Sequence, residues 1–166
     1  MVTTRSRNQP ATALDDEPVM DKWDQRWMRQ AREVSAWSKD PSTQVGAIIA
    51  EGKNFVSLGY NGFAPGVVDC AERYANRELK YKMIIHGEVN AMHSAERSIR
   101  GCTLYTWPFM PCPVCAAQVI KRGITRVVAP HSDNPRWTAD FEISRMQFQE
   151  AGVELCLLDP QSLQSL

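Results

Sequence analysis

The stretch TLYTWPFMPCPVCAAQVIKRGITRVVA, residues 103–129, decides the fold class of this chain. It begins with a short β-type run at 103–106 and ends with a second one at 125–129. Between them, residues 113–122 predict a helix that opens with a proline and stops at Gly123. A strand, a helix and a strand in succession form a parallel βαβ unit, so this stretch predicts an α/β protein.

Elements of the same kinds continue on both sides of this stretch. Downstream, residues 139–151 predict a helix that ends at Gly152, and residues 153–158 predict a last strand. Upstream, residues 44–50 and 55–60 are two β-type runs joined by a short turn, which predicts an antiparallel hairpin. The expected fold is therefore a three-layer α/β/α sandwich around a mixed five-stranded sheet.

Two further helices are predicted before residue 103. The first rests on apolar residues that recur at spacings of four and three, namely Trp23, Trp27, Ala31 and Val34. It ends before Pro41, and its opposite face is expected to expose Asp24, Arg26 and Arg29. The second helix is predicted over residues 86–99. A glycine-rich loop at 61–69 and a polar stretch up to residue 82 precede it, and neither is assigned a regular element.

Composition and charge narrow the class of protein. A length of 166 residues fits one domain, expected at 19–160 between a flexible arm at 1–18 and a tail at 161–166. Nineteen basic and nineteen acidic residues cancel, which argues against a nucleic-acid partner. No apolar run is long enough to span a membrane, and no signal peptide is evident, so we expect a cytoplasmic protein. Five cysteines, an odd number, do not suggest a disulfide framework.

Three residues have the chemistry of zinc ligands: His86, Cys112 and Cys115. The two cysteines are three residues apart at the start of a predicted helix, so their sulfur atoms share one face, and the helix N-terminus favours their thiolates. Three protein ligands leave the fourth tetrahedral position of zinc open to water. Glu88 follows the histidine by two residues, and a carboxylate beside a metal-bound water suits hydrolytic chemistry.

Two other interpretations of the cysteine pair remain open at this point. A Cys-x-x-Cys pattern also occurs in redox pairs and in structural zinc sites, and a structural site needs four protein ligands. The remaining candidates for a fourth ligand are poor: Cys102 and Cys156 fall in or beside strands, and His93 and His131 fall on a helix and in a loop. Cys70 has no histidine or cysteine between it and His86, which argues against a second metal.

The motifs His86-Gly87-Glu88 and Pro111-Cys112-Pro113-Val114-Cys115 resemble those of the zinc-dependent cytidine and deoxycytidylate deaminase superfamily. Within it, the chain is most similar to the deoxycytidylate (dCMP) deaminases. That similarity rests on residues 39–47 (KDPSTQVGA), 59–66 (GYNGFAPG) and 86–91 (HGEVNA). The resemblance covers roughly residues 22–158.

The resemblance implies an enzyme that hydrolyses dCMP to dUMP. His86, Cys112 and Cys115 would bind one zinc ion per chain, zinc-bound hydroxide would attack C4 of the cytosine, and Glu88 would shuttle the protons. A 5-substituted dCMP, such as the methyl or hydroxymethyl form, is a further candidate substrate. The alternatives are a deaminase of another base, a nucleoside or tRNA adenosine, and a structural zinc module that binds a partner without catalysis.

The resemblance also implies further site residues and an assembly. Candidates for substrate binding are Asn61 at the sugar, Ser42 and Thr43 at the phosphate, Arg97 from an adjoining subunit, and Trp107 and Met110 beside C5 of the base. Regulation by dCTP with Mg²⁺ would involve the loop containing Asn61, Gly62 and Gly66. The expected partners are a nucleotide and further copies of the chain, with a hexamer favoured over a dimer.

Overall fold

The computed structural model describes residues 20–164. Its helices are α1 (Lys22–Ser35), α2 (Ala71–Ala75), α3 (Arg77–Met83), α4 (Gly87–Ser94), α5 (Pro113–Lys121) and α6 (Thr138–Ala151). Its strands are β1 (Gly46–Glu51), β2 (Asn54–Tyr60), β3 (Thr103–Trp107), β4 (Arg126–Pro130) and β5 (Glu154–Leu158). A 3-10 helix over Pro160–Leu163 follows the last strand. The arm expected at residues 1–18 lies outside the described residues.

The five strands form one mixed sheet in the order β2-β1-β3-β4-β5. β1 is antiparallel to both β2 and β3, whereas β3, β4 and β5 run parallel. The antiparallel hairpin predicted from residues 44–60 is confirmed. The parallel unit predicted from residues 103–129 is confirmed as well. Gly46, at the start of β1, pairs with Tyr60 at the end of β2 and with Trp107 at the end of β3. The segments before β1, after β2 and after β3 therefore meet at the same end of these three strands.

Helices cover both faces of the sheet, which confirms the predicted α/β/α sandwich. On one face, α1 and the 3-10 helix contribute the buried residues Met28, Ala31, Val34 and Leu163 to a core with Ile48, Tyr105 and Val128. On the other, α4, α5 and α6 contribute Ala91, Met92, Val119, Phe141 and Phe148 to a core with Ala47, Ile49, Leu104 and Val127. Neighbouring strand residues alternate between the two cores, as the pleat requires.

Two glycines let helices approach the sheet backbone directly. A Cβ atom at Gly59 in β2 would lie 2.2 Å from the amide nitrogen of Ala91 in α4. A Cβ atom at Gly46 in β1 would lie 2.1 Å from the carbonyl oxygen of Ala31 in α1. Real Cβ atoms do not approach backbone atoms this closely, so neither position admits a side chain without moving a helix. Gly59 thereby fixes the distance of α4 from β2.

The expectation that Asp24 is exposed is wrong. The residue is 2% exposed, and its carboxylate accepts hydrogen bonds of 2.7 and 2.9 Å from the guanidinium group of Arg126. The hydroxyl group of Tyr105 donates a third bond of 2.8 Å. Arg26 and Arg29 are exposed, as expected. Helical periodicity assigns charged residues to the solvent face, and it cannot anticipate a cation supplied by a strand 102 residues later.

Several boundaries also differ from prediction. α4 ends at Ser94 instead of residue 99, and Ile99 is nevertheless buried through the loop that follows the helix. α2 and α3 lie in the polar stretch that was assigned no helix, because such short helices present no apolar repeat. The domain boundary expected at residue 160 falls inside the 3-10 helix, whose Leu163 is 1% exposed.

Within residues 20–164, no helix is both long enough and apolar enough to cross a membrane.

Candidate metal and catalytic site

The N-termini of α4 and α5 bring the three predicted zinc ligands together. His86 is the N-cap residue of α4 and Cys112 is the N-cap residue of α5. The Nδ1 atom of His86 lies 3.6 Å from Sγ of Cys112 and 3.2 Å from Sγ of Cys115. The three ligand atoms all lie within 4.8 Å of one another, so a single metal ion can reach all of them.

The local sequence leaves these side chains free to bind a metal. An N-cap side chain commonly accepts a hydrogen bond from the first turn of its helix, but His86 and Cys112 make no such bond. Pro113 occupies the first helical position of α5, where its missing amide proton costs nothing. Imidazole and thiol groups in this number fit the donor set that zinc prefers.

The three groups also differ in their readiness to lose a proton. Hydrogen bonds from Cys115 and His86 lower the pKa of Cys112 to about 4, which makes its thiolate available. The bond to Cys112 raises the pKa of His86 to about 8, and both that neighbour and burial raise the pKa of Cys115. A bound cation would displace the remaining protons, since metal ligands bind in their deprotonated forms.

In the structure, no fourth ligand atom joins this group from residues 20–164, and it is the only such cluster there of three or more potential ligands. Cys102 and Cys156 are buried, and Cys70 is partly buried in the segment before α2. This arrangement leaves a coordination position open, which is typical of a catalytic zinc site and not of a structural one.

Glu88 lies in the first turn of α4 and is 3% exposed. Burial raises the pKa of its carboxyl group above the ordinary value, although the nearby His86 acts in the opposite direction. Within the described part of the chain, no arginine or lysine forms an ion pair with it. A buried carboxyl group with a raised pKa can both accept and return a proton.

A pocket with about 630 Å³ of empty space contains this site. His86, Glu88 and Cys112 contribute to its lining. The remaining lining has an aromatic part, formed by Phe109, Trp137 and Phe141, and a polar part, formed by Asp40, Thr43, Asn61, Lys80 and Tyr81. The combination of rings and polar groups suits a base attached to a polar substituent.

Asn61 lines this pocket and holds its wall together. Its Oδ1 atom accepts a bond of 2.8 Å from the amide of Val45, and its Nδ2 atom donates a bond of 2.9 Å to the carbonyl of Thr43. The side chain thus joins the end of β2 to the segment before β1. Asn61 and Thr43, two of the predicted substrate residues, are therefore both at the pocket.

Sequence reasoning missed a buried ion pair in the same wall. Nζ of Lys80 lies 3.1 Å from Oδ1 of Asp40, and the two side chains are 5% and 4% exposed. The same Oδ1 atom accepts a bond of 2.9 Å from the amide of Ser42. An Asp-Pro-Ser sequence suggests a turn closed by the aspartate, but no local signal pairs it with a lysine forty residues later.

Other predicted residues do not line the pocket. Met110 is 2% exposed within the core on the α4–α6 face, and Trp107 packs against the opposite core, with the guanidinium carbon of Arg32 5.3 Å from its ring centroid. Phe109, between them, is the residue of this segment that reaches the pocket. Trp107 and Met110 therefore do not line this pocket, and their contact with C5 of the base stays a prediction. Residues 108–110 follow the end of β3, so the alternation of the strand does not extend to them.

The remaining predicted residues lie elsewhere. Arg97 forms an exposed ion pair of 2.6 Å with Glu51, and Ser42 contributes its amide to the turn at Asp40 without lining the pocket. Gly62 forms an isolated bridge with Ile85, and Gly66 has a φ of 83° in the following loop. The suggested roles of Arg97 in an adjoining subunit and of the two glycines in regulation stay predictions.

Comparison with known proteins agrees with this site. The family model described as "Cytidine and deoxycytidylate deaminase zinc-binding region" matches residues 21–130. An uncharacterized deaminase from the luxG 3′ region of Aliivibrio fischeri is 41% identical over 143 residues, covering 84% of this chain and 96% of that protein. The deoxycytidylate deaminase of Mus musculus is 36% identical over 139 residues, covering 80% of this chain and 77% of the mouse enzyme.

Solved structures show the same architecture. The dCMP deaminase of cyanophage S-TIM5, in complex with dCMP and dUMP, superposes with a TM-score of 0.65 at 25% identity, covering 80% of this chain and 94% of that chain. A RibD structure from Acinetobacter baumannii superposes with a TM-score of 0.61 at 24% identity, covering 86% of this chain and 36% of that one. The sequence match and the two helix N-termini that gather His86, Cys112 and Cys115 lead to one conclusion: this chain is an enzyme of the zinc-binding cytidine and deoxycytidylate deaminase family.

Proposed function

We propose that this protein hydrolyses dCMP to dUMP and ammonia. The observation that carries the proposal is the placement of Glu88 and the group of His86, Cys112 and Cys115 in one pocket. The deoxycytidylate deaminases to which the chain is 35–36% identical support the choice of substrate. A structural zinc module is disfavoured because no fourth ligand joins the group within residues 20–164.

His86, Cys112 and Cys115 would hold a single zinc ion. When bound, zinc lowers the pKa of water to about 7 and so supplies a nucleophile at neutral pH. The ligands come from two helix N-termini, whose partial positive charge favours the thiolate forms. No role for Mg²⁺ follows from these residues, so its participation with a dCTP regulator stays a prediction.

Glu88 would move the protons. Its carboxylate accepts one proton from the attacking water and delivers it to N3 of the cytosine as oxygen bonds to C4. It then transfers the second proton of that water to the amino group, which leaves as ammonia and yields uracil. Burial raises the pKa of this carboxyl group, which favours the protonated state that the relay must reach in each turnover.

The rest of the pocket would bind and orient the nucleotide. Phe109, Trp137 and Phe141 offer aromatic surface to the pyrimidine and exclude water from it. Asn61 would contact the sugar, although its side chain already bonds to the backbone at two atoms. Since Met110 is buried in the core, acceptance of 5-substituted dCMP would depend on Phe109.

The decisive test is release of ammonia from a panel of substrates: dCMP, 5-methyl-dCMP, CMP, deoxycytidine and an adenosine-containing tRNA stem-loop. We expect the highest kcat/KM with dCMP. A higher value with deoxycytidine, or with any compound lacking a cytosine, would contradict the proposed substrate.

Metal analysis tests the ligand set separately from activity. The purified protein should contain one zinc per chain, and Cys112→Ser should lose most of it, because zinc binds thiolate far better than a hydroxyl group. Cys70→Ser is the matched control and should retain zinc. Two zinc ions per chain, or full zinc content in the Cys112 variant, would contradict the assignment.

We also propose a cytoplasmic homo-oligomer, with a hexamer favoured over a dimer. Val114, which lies between the two cysteines at the site, is 69% exposed, and such an apolar side chain is a candidate for subunit contact. Light scattering at micromolar concentration tests the proposal, and a monomer would contradict it.

A further inference from the structure

Two arginines from separate elements meet at one tyrosine beside the pocket. Nε of Arg77, at the start of α3, donates a hydrogen bond of 3.2 Å to the hydroxyl oxygen of Tyr81. Arg136, in the segment before α6, donates to the same oxygen through Nη2. The guanidinium carbon of Arg136 also lies 4.5 Å from the ring centroid of Trp137. We call Arg77, Tyr81 and Arg136 the arginine clamp.

Within residues 20–164, no carboxylate balances the positive charge of the clamp. A phenol hydroxyl is a neutral acceptor, and none of the carboxylates in residues 20–164 lies within 4.0 Å of Arg77 or Arg136. Other arginines differ in this respect: Arg126 pairs with Asp24, and Arg97 pairs with Glu51. Two like charges are therefore held close to one neutral oxygen, an arrangement that an anion would stabilise.

The clamp adjoins the pocket that contains the candidate catalytic residues. Tyr81 and Trp137 both line that pocket together with His86 and Glu88. Tyr81 is 47% exposed, so the clamp is open to solvent on its outer side. A ligand with its reacting ring among the buried residues can thus place a charged substituent at the arginines.

Lys80, which lines the pocket, is already neutralised by an ion pair. Lys80 is paired with Asp40, and both side chains are almost fully buried. The same carboxylate accepts bonds from the amides of Ser42 and Thr43, at 2.9 and 3.4 Å. These amides are therefore occupied, and the lysine beside them is already paired. The phosphate site predicted at Ser42 and Thr43 thus has no free amide donor in this turn, and it stays a prediction.

We propose that the arginine clamp binds the 5′-phosphate and gives the enzyme its preference for a nucleoside monophosphate over a nucleoside. This inference rests on the proposed deamination of dCMP. Guanidinium groups match phosphate oxygens in geometry and remain charged at all relevant pH values. Tyr81 acts as the positioning residue that holds both guanidinium groups at one point.

The test uses the zinc-loaded full-length protein and compares dCMP with deoxycytidine. Each of Arg77→Ala and Arg136→Ala should lower the ratio of the two kcat/KM values about 10-fold or more, mainly through KM for dCMP, because each removes a charged hydrogen bond. Arg136→Lys keeps the charge but not the fork and should fall between Arg136→Ala and the wild type. Arg122→Ala, an exposed arginine at the end of α5, is the matched control and should keep the wild-type ratio.

Inhibition by inorganic phosphate provides a second measurement that does not depend on binding the nucleoside. Phosphate should compete with dCMP, and its inhibition constant should rise at least several-fold in both alanine variants and not in Arg122→Ala.

The outcomes separate the two proposals. If the wild type prefers dCMP and both alanine variants keep that preference and the phosphate inhibition, the clamp is refuted while the proposed function stands. If the wild type itself prefers deoxycytidine or does not deaminate dCMP, the proposed function fails and the clamp fails with it. Thermal melts of each variant establish that a changed ratio does not come from unfolding.

Discussion

Asp24 and Glu88 are two acidic residues with nearly the same burial and opposite surroundings. They are 2% and 3% exposed, on opposite faces of the sheet. Arg126 and Tyr105 bind the carboxylate of Asp24, and although burial alone would raise its pKa, these bonds hold the pKa below the ordinary value. Within residues 20–164 no arginine or lysine pairs with Glu88, and burial raises its pKa. Equal burial thus yields a structural ion pair in one case and a candidate proton carrier in the other.

The largest expected effect comes from Glu88→Gln. The amide keeps the size of the side chain but cannot carry the proton, so we expect kcat to fall about 10²–10⁴-fold or more, with zinc content and stability preserved. Glu96→Gln, an exposed neighbour after α4, is the control and should retain full activity. If Glu88→Gln kept more than about a tenth of the wild-type activity, another group would have to carry the proton.

Removing the cation of a third buried carboxylate sharpens the comparison. Lys80→Met leaves Asp40 buried beside the pocket without its ion pair, and we expect a loss of about 3–5 kcal/mol in the free energy of unfolding. Lys82→Met removes the exposed partner of Glu78 from the same helix and should cost less than about 1 kcal/mol. Urea denaturation of both variants measures the difference, and equal losses would contradict the importance of burial.

A similar but smaller loss is expected for Asp24→Ala. The substitution leaves Arg126 without its buried carboxylate, although Glu154 still accepts a bond of 3.0 Å from it. We therefore expect about 3 kcal/mol, the lower end for a broken buried pair, with little change in kcat/KM. Glu33→Ala, on the exposed face of the same helix, should change the stability by no more than about 0.5 kcal/mol. A loss of activity in Asp24→Ala without a loss of stability would overturn the distinction between the two carboxylates.

The smallest expected effect is a change in the stability contributed by Asp24 at acidic pH. Because folding lowers the pKa of Asp24, its ion pair contributes stability that is fully present above the unfolded pKa, near 3.8. That contribution is lost as the pH falls through the lower pKa of the folded state. The stability advantage of the wild type over Asp24→Ala should therefore be constant from pH 7 to about 5 and shrink in stronger acid. Denaturation curves across this range measure it, and an advantage that grew in acid would have the wrong sign.

Local patterns predicted much of this molecule. The His86-Gly87-Glu88 and Cys112-to-Cys115 motifs carry their own spacing, so their convergence at helix N-termini followed from the sequence. The mixed five-stranded sheet followed from the hairpin and the parallel units, whereas the order of its strands was not predicted.

Long-range pairing was not predictable in the same way. The partner of Asp24 is 102 residues away, and the partner of Asp40 is 40 residues away. Neither pair leaves a periodic trace, because each involves one side chain from each element. The sequence also did not show that Phe109 lines the pocket, since residues 108–110 follow neither the strand nor the helix repeat.

The contact between Gly59 and the backbone of α4 has a mechanical consequence. Side chains between packed elements normally act as a compliant layer that absorbs small displacements by changing rotamer. Here that layer is missing, so a displacement of β2 passes directly to the backbone of the helix that carries Glu88. β2 is also an outer strand of the sheet, with one side unpaired within the described chain. The carboxyl group proposed to carry the proton is thus linked to an outer strand with no side chain in between, so a displacement of that strand would move it.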